Sequence, residues 1–200
     1  YDSIKGVRIH AWLATPRARG RHPALVVIPG LGDRGREEWA VRGAERGFVT
    51  LSLDLRGQGK SKGGLPDRVA LYLFGKAEDH FITGCIADVM RGIDMLVARA
   101  DVDPRWVFVQ GFSLGGGITL SVAALDARVK AAAIGAPALC DLERSMQDGK
   151  DPRMAMLRGV LAATGDPEDG LRQVRLVDNT RFAARLRIPV LFGMSTRDPV

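Results

Sequence analysis

Long apolar runs and paired cysteines are scarce in this 200-residue sequence, and each scarcity excludes a class of protein. No run of about 18 or more apolar residues occurs, so we expect no membrane-spanning helix and no membrane partner. The two cysteines, Cys85 and Cys140, lie far apart in apolar surroundings. That placement predicts free thiols and neither a disulfide framework nor a metal site, and it favours a reducing compartment such as the cytoplasm.

Blocks of like charge are also absent, although the formal net charge is +6. The arginines are scattered along the chain without interleaved aromatic residues, so a nucleic-acid partner is not predicted. With 46% hydrophobic and 26% charged residues, the composition is that of an ordinary globular protein. The length suffices for one well-filled core, and we therefore predict a single domain over residues 1–200.

What the sequence does contain is a G-x-S-x-G pattern from Gly111 to Gly115, between a β-rich apolar run and a small, aliphatic helical run. The pattern predicts a nucleophile elbow, in which Ser113 occupies a sharp turn from a strand into a helix. Gly111 and Gly115 leave room for that turn, since a side chain at either position would crowd it. The interpretation without chemistry is a glycine-rich turn, but the flanking pattern favours a nucleophilic serine.

Strand and helix patterns alternate around this elbow. Residues 24–28 form a continuous apolar run, typical of a strand that is covered on both faces, and residues 48–53 are predicted as the next buried strand. A helix predicted over 37–46 joins them, and this β-α-β unit predicts parallel strands. Further predictions are a helix over 78–100, a break at Asp103-Pro104, and strands over 106–109, 129–134 and 189–192. The fold class is therefore α/β, with a mostly parallel sheet and helices on both faces.

Two stretches depart from this alternation. Residues 7–15 alternate like a half-exposed strand, and 16–22 is predicted as a hairpin after it. Residues 141–179 are more charged and contain two predicted helix starts, Asp151-Pro152 and Asp166-Pro167, where an acidic N-cap precedes a proline. This segment is a candidate cap or insertion. Its methionines either pack in a core or line an acyl pocket.

The elbow needs partners elsewhere in the chain. In a hydrolase with this elbow an acid and then a histidine follow the serine, and Asp198, just after the last predicted strand, is the expected acid. Asp141, after the preceding strand, is the alternative acid. One oxyanion donor is the backbone N–H of Leu114, and the other is expected in the loop after the first buried strand, at the backbone N–H of Leu31.

The general base is the missing partner. All three histidines, His10, His22 and His80, precede the elbow, so structural or solvent-facing roles are expected for them. We therefore expect these 200 residues to lack the catalytic histidine, together with the last strand and helix of the fold. We also expect the isolated chain to be inactive.

Motifs along almost the whole chain point to one family. They are Ala11-Trp12-Leu13, Asp54-Leu55-Arg56-Gly57-Gln58-Gly59, Ser113-Leu114-Gly115-Gly116-Gly117, Ala123-Ala124-Leu125-Asp126, Phe182-Ala183 and Pro189-Val190-Leu191. The R-G-Q-G tetrapeptide discriminates best, since hydrolases at large more often carry a histidine or an apolar residue in place of Gln58. The sequence thus resembles the acetyl xylan esterase and cephalosporin C deacetylase group of α/β-hydrolases.

The resemblance implies deacetylation of short acyl esters on sugars or related alcohols, without a metal or cofactor and frequently in a homo-oligomer. It implies that Ser113 is the nucleophile and Asp198 the acid. It also implies that Leu31 and Leu114 are the oxyanion donors. The family usually has His-Gly-Tyr at Pro29-Gly30-Leu31 and glutamine at Leu114. These departures bear on acetyl selectivity, because the tyrosine and glutamine side chains shape the acyl pocket.

The sequence therefore predicts a serine carboxylic ester hydrolase that forms an acyl-enzyme with a small-molecule ester. A serine peptidase of the prolyl oligopeptidase type is an alternative because it shares the elbow, and thioester or lactone hydrolysis also fits. A non-catalytic hydrolase-fold binding module is the alternative from another class, and the absence of a suitable histidine keeps it open, although the retained elbow, acid and oxyanion loop argue against it.

Overall fold

The computed structural model of the chain describes residues 1–64, 80–148, 152–163 and 166–194. Within these ranges six strands form one sheet, in the order β1-β3-β2-β4-β5-β6. The strands are β1 (Ala11–Ala14), β2 (His22–Ile28), β3 (Val49–Leu53), β4 (Val102–Phe112), β5 (Val129–Gly135) and β6 (Val190–Gly193). The helices are α1 (Glu37–Glu45), α2 (Phe81–Val97), α3 (Leu114–Leu125), α4 (Leu142–Asp148), α5 (Pro152–Ala163), α6 (Pro167–Val177) and α7 (Asn179–Ala183).

Five of the strands run parallel, and β1 pairs antiparallel with β3 at one edge. The predicted β-α-β unit is confirmed, because α1 joins β2 to β3 and these strands pair in parallel. Strand β2 lies at the centre, where Val26 pairs with Leu51 of β3 and with Val109 of β4. All three side chains are buried, as expected for central strands of a sheet that is covered on both faces.

Helices cover both faces of the sheet. Along β3, Thr50 lies against Gly43 of α1, whereas the next residue, Leu51, lies against Gly92 of α2. Successive strand residues point to opposite faces, so α1 and α2 pack on opposite sides. The predicted fold class, a mostly parallel sheet with helices on both faces, is confirmed. None of the helices in the described ranges has the length and apolar character needed to cross a membrane.

Two local predictions are wrong. Strand β1 forms no hairpin with β2, because it pairs with β3 (Ala11 opposite Leu53), and His22 begins β2. Asp103-Pro104 does not break the chain before β4, because the strand already begins at Val102. The pairing of β2 with β4 shifts register between His22 and Ala24, whose partners are Val102 and Val107. The proline lies in that irregular stretch, where a missing N–H is tolerated.

Helix ends follow their capping residues. Helix α2 begins only at Phe81, because His80 is extended and its side chain accepts the Ile82 N–H. The predicted start at Asp166 is confirmed: its carboxylate accepts the N–H of Asp169, and Pro167 is the first residue of α6. Helix α5 begins at Pro152, while Asp151 lies outside the described residues.

A buried ion pair ties the turn after β3 to α2. Arg56 donates from Nε to Asp88 Oδ2 at 2.8 Å and from Nη2 to Asp88 Oδ1 at 2.7 Å. The Asp88 side chain is fully buried, and the Tyr1 hydroxyl donates to the Asp88 backbone carbonyl at 2.8 Å. A bidentate guanidinium–carboxylate pair fixes both position and orientation. The Arg56 pair therefore anchors the R-G-Q-G turn to the helix layer.

We predict that Arg56→Met lowers the free energy of unfolding by about 3–5 kcal/mol, because it leaves Asp88 buried without its cation. Arg91→Met is the matched control on α2, since Arg91 pairs with Asp94 at an exposed site. That change should cost less than about 1 kcal/mol. Urea unfolding followed by circular dichroism measures both, and equal costs would contradict the anchoring role.

Candidate active site

Ser113 occupies a strained turn between Phe112, the end of β4, and Leu114, the start of α3. Its backbone angles are φ 56° and ψ −122°, in a region that non-glycine residues rarely adopt. Such a conformation costs on the order of 1–3 kcal/mol and persists only where the surroundings impose it. The Ser113 N–H donates to the Gly135 carbonyl at 3.0 Å, and its own carbonyl accepts the N–H groups of Gly117 and Ala138. These bonds hold the half-buried serine in place.

Close backbone contacts around the turn leave no space for side chains at Gly111 and Gly115. A Cβ at Gly115 would lie 2.5 Å from the Pro29 carbonyl oxygen and would overlap that of Ile28. A Cβ at Gly111 would overlap the Gly115 carbonyl oxygen. The backbone at the end of β2, at the end of β4 and in the first turn of α3 is therefore in direct contact, with no side chain between.

The loop after β2 lies directly beside this serine. A methyl group placed on Gly30 would lie 3.5 Å from Ser113 Cβ. The Asp33 N–H donates to the Gly30 carbonyl at 3.3 Å, which closes a β-turn with Gly32 at φ 75° in its third position. Leu31, the second residue of the turn, is 38% exposed at its tip.

A cleft of about 990 Å³ opens along this edge of the sheet. It is bordered by the carboxyl ends of β2, β4, β5 and β6, where ligands of parallel α/β sheets commonly bind. Its lining combines Ser113 with the exposed apolar side chains of Leu31, Phe112 and Phe192. The serine is therefore accessible from a largely apolar cleft.

The loop after β5 is held in place by Asn179, the last residue of segment 141–179. Asn179 is fully buried and donates from Nδ2 to the Ala138 carbonyl at 2.8 Å. Ser121 of α3 donates to Asn179 Oδ1 at 2.8 Å. Since the Ala138 N–H donates to the Ser113 carbonyl, this network supports the back of the elbow. The interpretation of 141–179 as a cap stays a prediction.

The two candidate acids differ in what the structure describes. Asp198 lies outside the described residues, five positions after the end of β6 at Gly193. Asp141 is exposed in the loop after β5, at φ 49°, and its backbone N–H donates to Asp178 Oδ1 at 3.1 Å. The methionines of 141–179 also differ: Met146 is buried in the core, whereas Met156 is 44% exposed.

The three histidines bond to groups other than Ser113. His10 Nδ1 lies 3.1 Å from Asp54 Oδ2, and His22 Nε2 lies 2.9 Å from the Ala18 carbonyl. His80 Nδ1 accepts the Ile82 N–H at the start of α2. No histidine lines the part of the cleft formed by the described residues.

The cysteines are poorly suited to act as nucleophiles in place of the serine. Burial, with a contribution from the charge of Asp88, raises the pKa of the Cys85 thiol well above its usual value. Burial likewise raises the pKa of the half-buried Cys140 thiol. Both cysteines are free. In the described part of the chain, no three or more His, Cys, Asp or Glu side chains are grouped so that they could hold a metal ion.

Residues that hold the loop after β2 escaped the sequence analysis. The Gly35 N–H donates to Asp54 Oδ1 at 2.7 Å, and the Arg36 N–H donates to Ser52 Oγ at 2.9 Å. Asp54 is almost fully buried and also accepts the Lys60 N–H. A carboxylate directly after a buried strand was the available signal, because a buried charge requires partners.

Comparison with known proteins matches this chain to a family. The model of the acetyl xylan esterase (AXE1) family matches residues 1–200. An acetyl esterase, Axe7A of Xylanibacter ruminicola, is 28% identical over 217 aligned residues, which cover 96% of this chain and 46% of the relative. The chain thus spans about half the length of that relative.

Solved structures agree with the family match. The acetyl xylan esterase from Paenibacillus sp. R4 superposes with a TM-score of 0.82 at 25% identity, covering 96% of this chain and 66% of that chain. Acetyl xylan esterase 1 from Thermoanaerobacterium sp. superposes with a TM-score of 0.82 at 26% identity, and the alignment covers 96% of this chain and 65% of that chain.

The contacts at the elbow predict that Gly115→Ala destabilises the protein by about 1–3 kcal/mol or more, because the methyl group overlaps the β2 carbonyls. Gly159→Ala is the matched control, since Gly159 lies exposed within α5 and a Cβ there meets nothing within 4 Å. It should stabilise by about 0.5–1 kcal/mol. Thermal unfolding distinguishes the two, and a neutral Gly115→Ala would contradict the crowding.

Proposed function

Because this chain belongs to the acetyl xylan esterase family, we propose that the protein is a serine carboxylic ester hydrolase acting on short-chain acyl esters, acetyl esters above all. The observation that carries the proposal is the strained, half-buried Ser113 between β4 and α3, open to the cleft. The names of the matched relatives, acetyl esterase and acetyl xylan esterase, support acetyl as the acyl group.

In the proposed reaction Ser113 Oγ attacks the ester carbonyl carbon as its proton passes to a general base. The tetrahedral intermediate collapses, the C–O bond to the alcohol breaks, and the alcohol leaves with that proton. This step leaves an acyl-enzyme on Ser113. Water, activated by the same base, then releases the carboxylic acid and restores the serine. No metal or cofactor is needed for these steps.

Two backbone N–H groups are proposed to stabilise the oxyanion. The first residue of α3, Leu114, has no intrahelical acceptor for its N–H. Leu31 lies in the turn beside Ser113 and lines the same cleft. Fixed donors of this kind stabilise the developing charge without reorganising during the reaction.

The general base is proposed to be a histidine oriented by Asp198. We do not assign this role to His10, His22 or His80, because each is hydrogen-bonded elsewhere in the fold. A carboxylate at position 198 would fix the tautomer of that imidazole and stabilise its protonated form. Asp141 is the less favoured acid, since it is exposed in the preceding loop.

Ser113→Ala should reduce turnover of p-nitrophenyl acetate by the complete gene product by about 10⁴-fold or more, because it removes the attacking oxygen. Ser145→Ala, a half-buried serine on α4, is the control that should retain activity. If the unsubstituted protein is as inert as Ser113→Ala, ester hydrolysis is wrong. Peptide amides and ligand binding would then be tested, in line with the peptidase and binding-module alternatives.

Leu31→Pro should lower kcat by about 10²–10³-fold, because it removes the proposed oxyanion N–H. Proline is favoured at the second position of a turn with glycine at the third, so the loop should keep its shape. Leu31→Ala is the control: it keeps the N–H and should change kcat by only about threefold. Equal losses in the two variants would show that the side chain matters and not the donor.

A further inference from the structure

We propose that Gln58 is a positioning residue for this site: its side-chain carbonyl holds the turn from Gly30 to Asp33 in the shape that presents the Leu31 N–H to the cleft. The inference rests on the proposed ester hydrolysis. It concerns a residue that does not line the cleft and acts through the loop.

The contact that carries the inference joins two distant turns. Gln58 is only 4% exposed, and its Oε1 accepts the backbone N–H of Gly32. The Gln58 backbone is fixed at the same time, because its N–H donates to the Leu55 carbonyl and its carbonyl accepts the Ser61 N–H, each at 3.0 Å. The ion pair of Arg56 with Asp88 anchors this turn further. The acceptor is therefore held rigidly.

Bonding to the Gly32 N–H fixes one peptide plane of the neighbouring turn. At φ 75°, Gly32 gives the turn a form in which the plane between Leu31 and Gly32 is flipped relative to the commoner type I turn. Rotating that plane back would break the hydrogen bond from the Gly32 N–H and leave the buried side-chain oxygen of Gln58 without a donor. The Leu31 N–H belongs to the preceding peptide plane, between Gly30 and Leu31. Because the two planes join at the Leu31 Cα, fixing the plane between Leu31 and Gly32 restrains the direction of the Leu31 N–H.

The other end of the Gln58 amide indicates a geometric role. Since Gly32 donates, the side-chain oxygen faces it, and Nε2 is directed away. Nε2 is buried, and among the residues that the structure describes it has no hydrogen-bond partner. A buried amide with one unpaired end adds little net stability, because the unpaired group offsets the bond at the other end. An apolar side chain would avoid that cost but would release Gly32.

The remainder of the loop has its own anchors. Asp54 and Ser52 accept the N–H groups of Gly35 and Arg36, beyond the turn. Losing the Gln58 acceptor should therefore free the turn around Leu31 while the loop stays attached to β3. This separation allows a local effect on catalysis to be distinguished from a loss of fold.

The test compares Gln58→Leu with Ser61→Ala in the complete gene product. Gln58→Leu should lower kcat for p-nitrophenyl acetate by about 10- to 100-fold, a smaller loss than that expected when a whole oxyanion donor is removed. KM should stay within about twofold of the value for the unsubstituted protein. Its thermal midpoint should stay unchanged or rise. Ser61→Ala removes a buried hydroxyl that bonds His10 and Asp54, so it should lower the midpoint while kcat stays within about twofold. An unchanged kcat in Gln58→Leu, or a loss of kcat matched by Ser61→Ala, would overturn the inference.

Amide hydrogen exchange, measured by NMR, tests the contact independently of activity. In Gln58→Leu the Gly32 amide should exchange faster, while the Gly35 amide keeps its protection through Asp54. Unchanged Gly32 exchange would overturn the inference whatever the kinetics show. If the unsubstituted protein proves inert but Gly32 loses protection, the proposed function fails and the role of Gln58 in holding the turn is supported.

Discussion

The site depends above all on the close approach of three backbone segments at the elbow. The carbonyls that end β2 lie so near Gly115 that a methyl group there would overlap them, and Gly111 meets the same crowding from α3. This contact sets Ser113 in its strained conformation with φ 56° and brings the loop after β2 beside it. The strand order makes the contact unavoidable, because β2 and β4 are neighbours whose carboxyl ends meet at one edge.

A second layer of support reaches this edge from β3. Ser52 of β3 and Asp54, directly after it, hold the far end of the loop after β2, and the turn that follows β3 supplies Gln58 to the near end. The ion pair between Arg56 and Asp88 connects the turn after β3 to α2. Buried polar groups one strand away thus hold the loop after β2, which borders the cleft, and the geometry of this loop depends on more than its own residues.

Local patterns predicted the parts of this fold that depend on local chemistry. A continuous apolar run identified β2 as a buried strand, and the β-α-β pattern predicted that β3 pairs parallel with it. The spacing of Gly111, Ser113 and Gly115 located the elbow, because its crowding is set by near neighbours in sequence. Distant pairings left no such signal. The partner of β1, the register shift that accommodates Pro104, and the bond from Gly32 to Gln58 all depend on contacts between residues far apart in the chain. Asp198 remains a prediction from sequence alone.

The central claim is that Ser113 is the nucleophile of an acyl-enzyme. Incubating the complete gene product with an alkyl fluorophosphonate, followed by mass spectrometry of its peptides, tests this claim most directly. The account predicts one covalent adduct per chain, located on Ser113, with reaction slowed by a competing acetyl ester. An unmodified protein, or an adduct on another residue while Ser113 stays free, would contradict it.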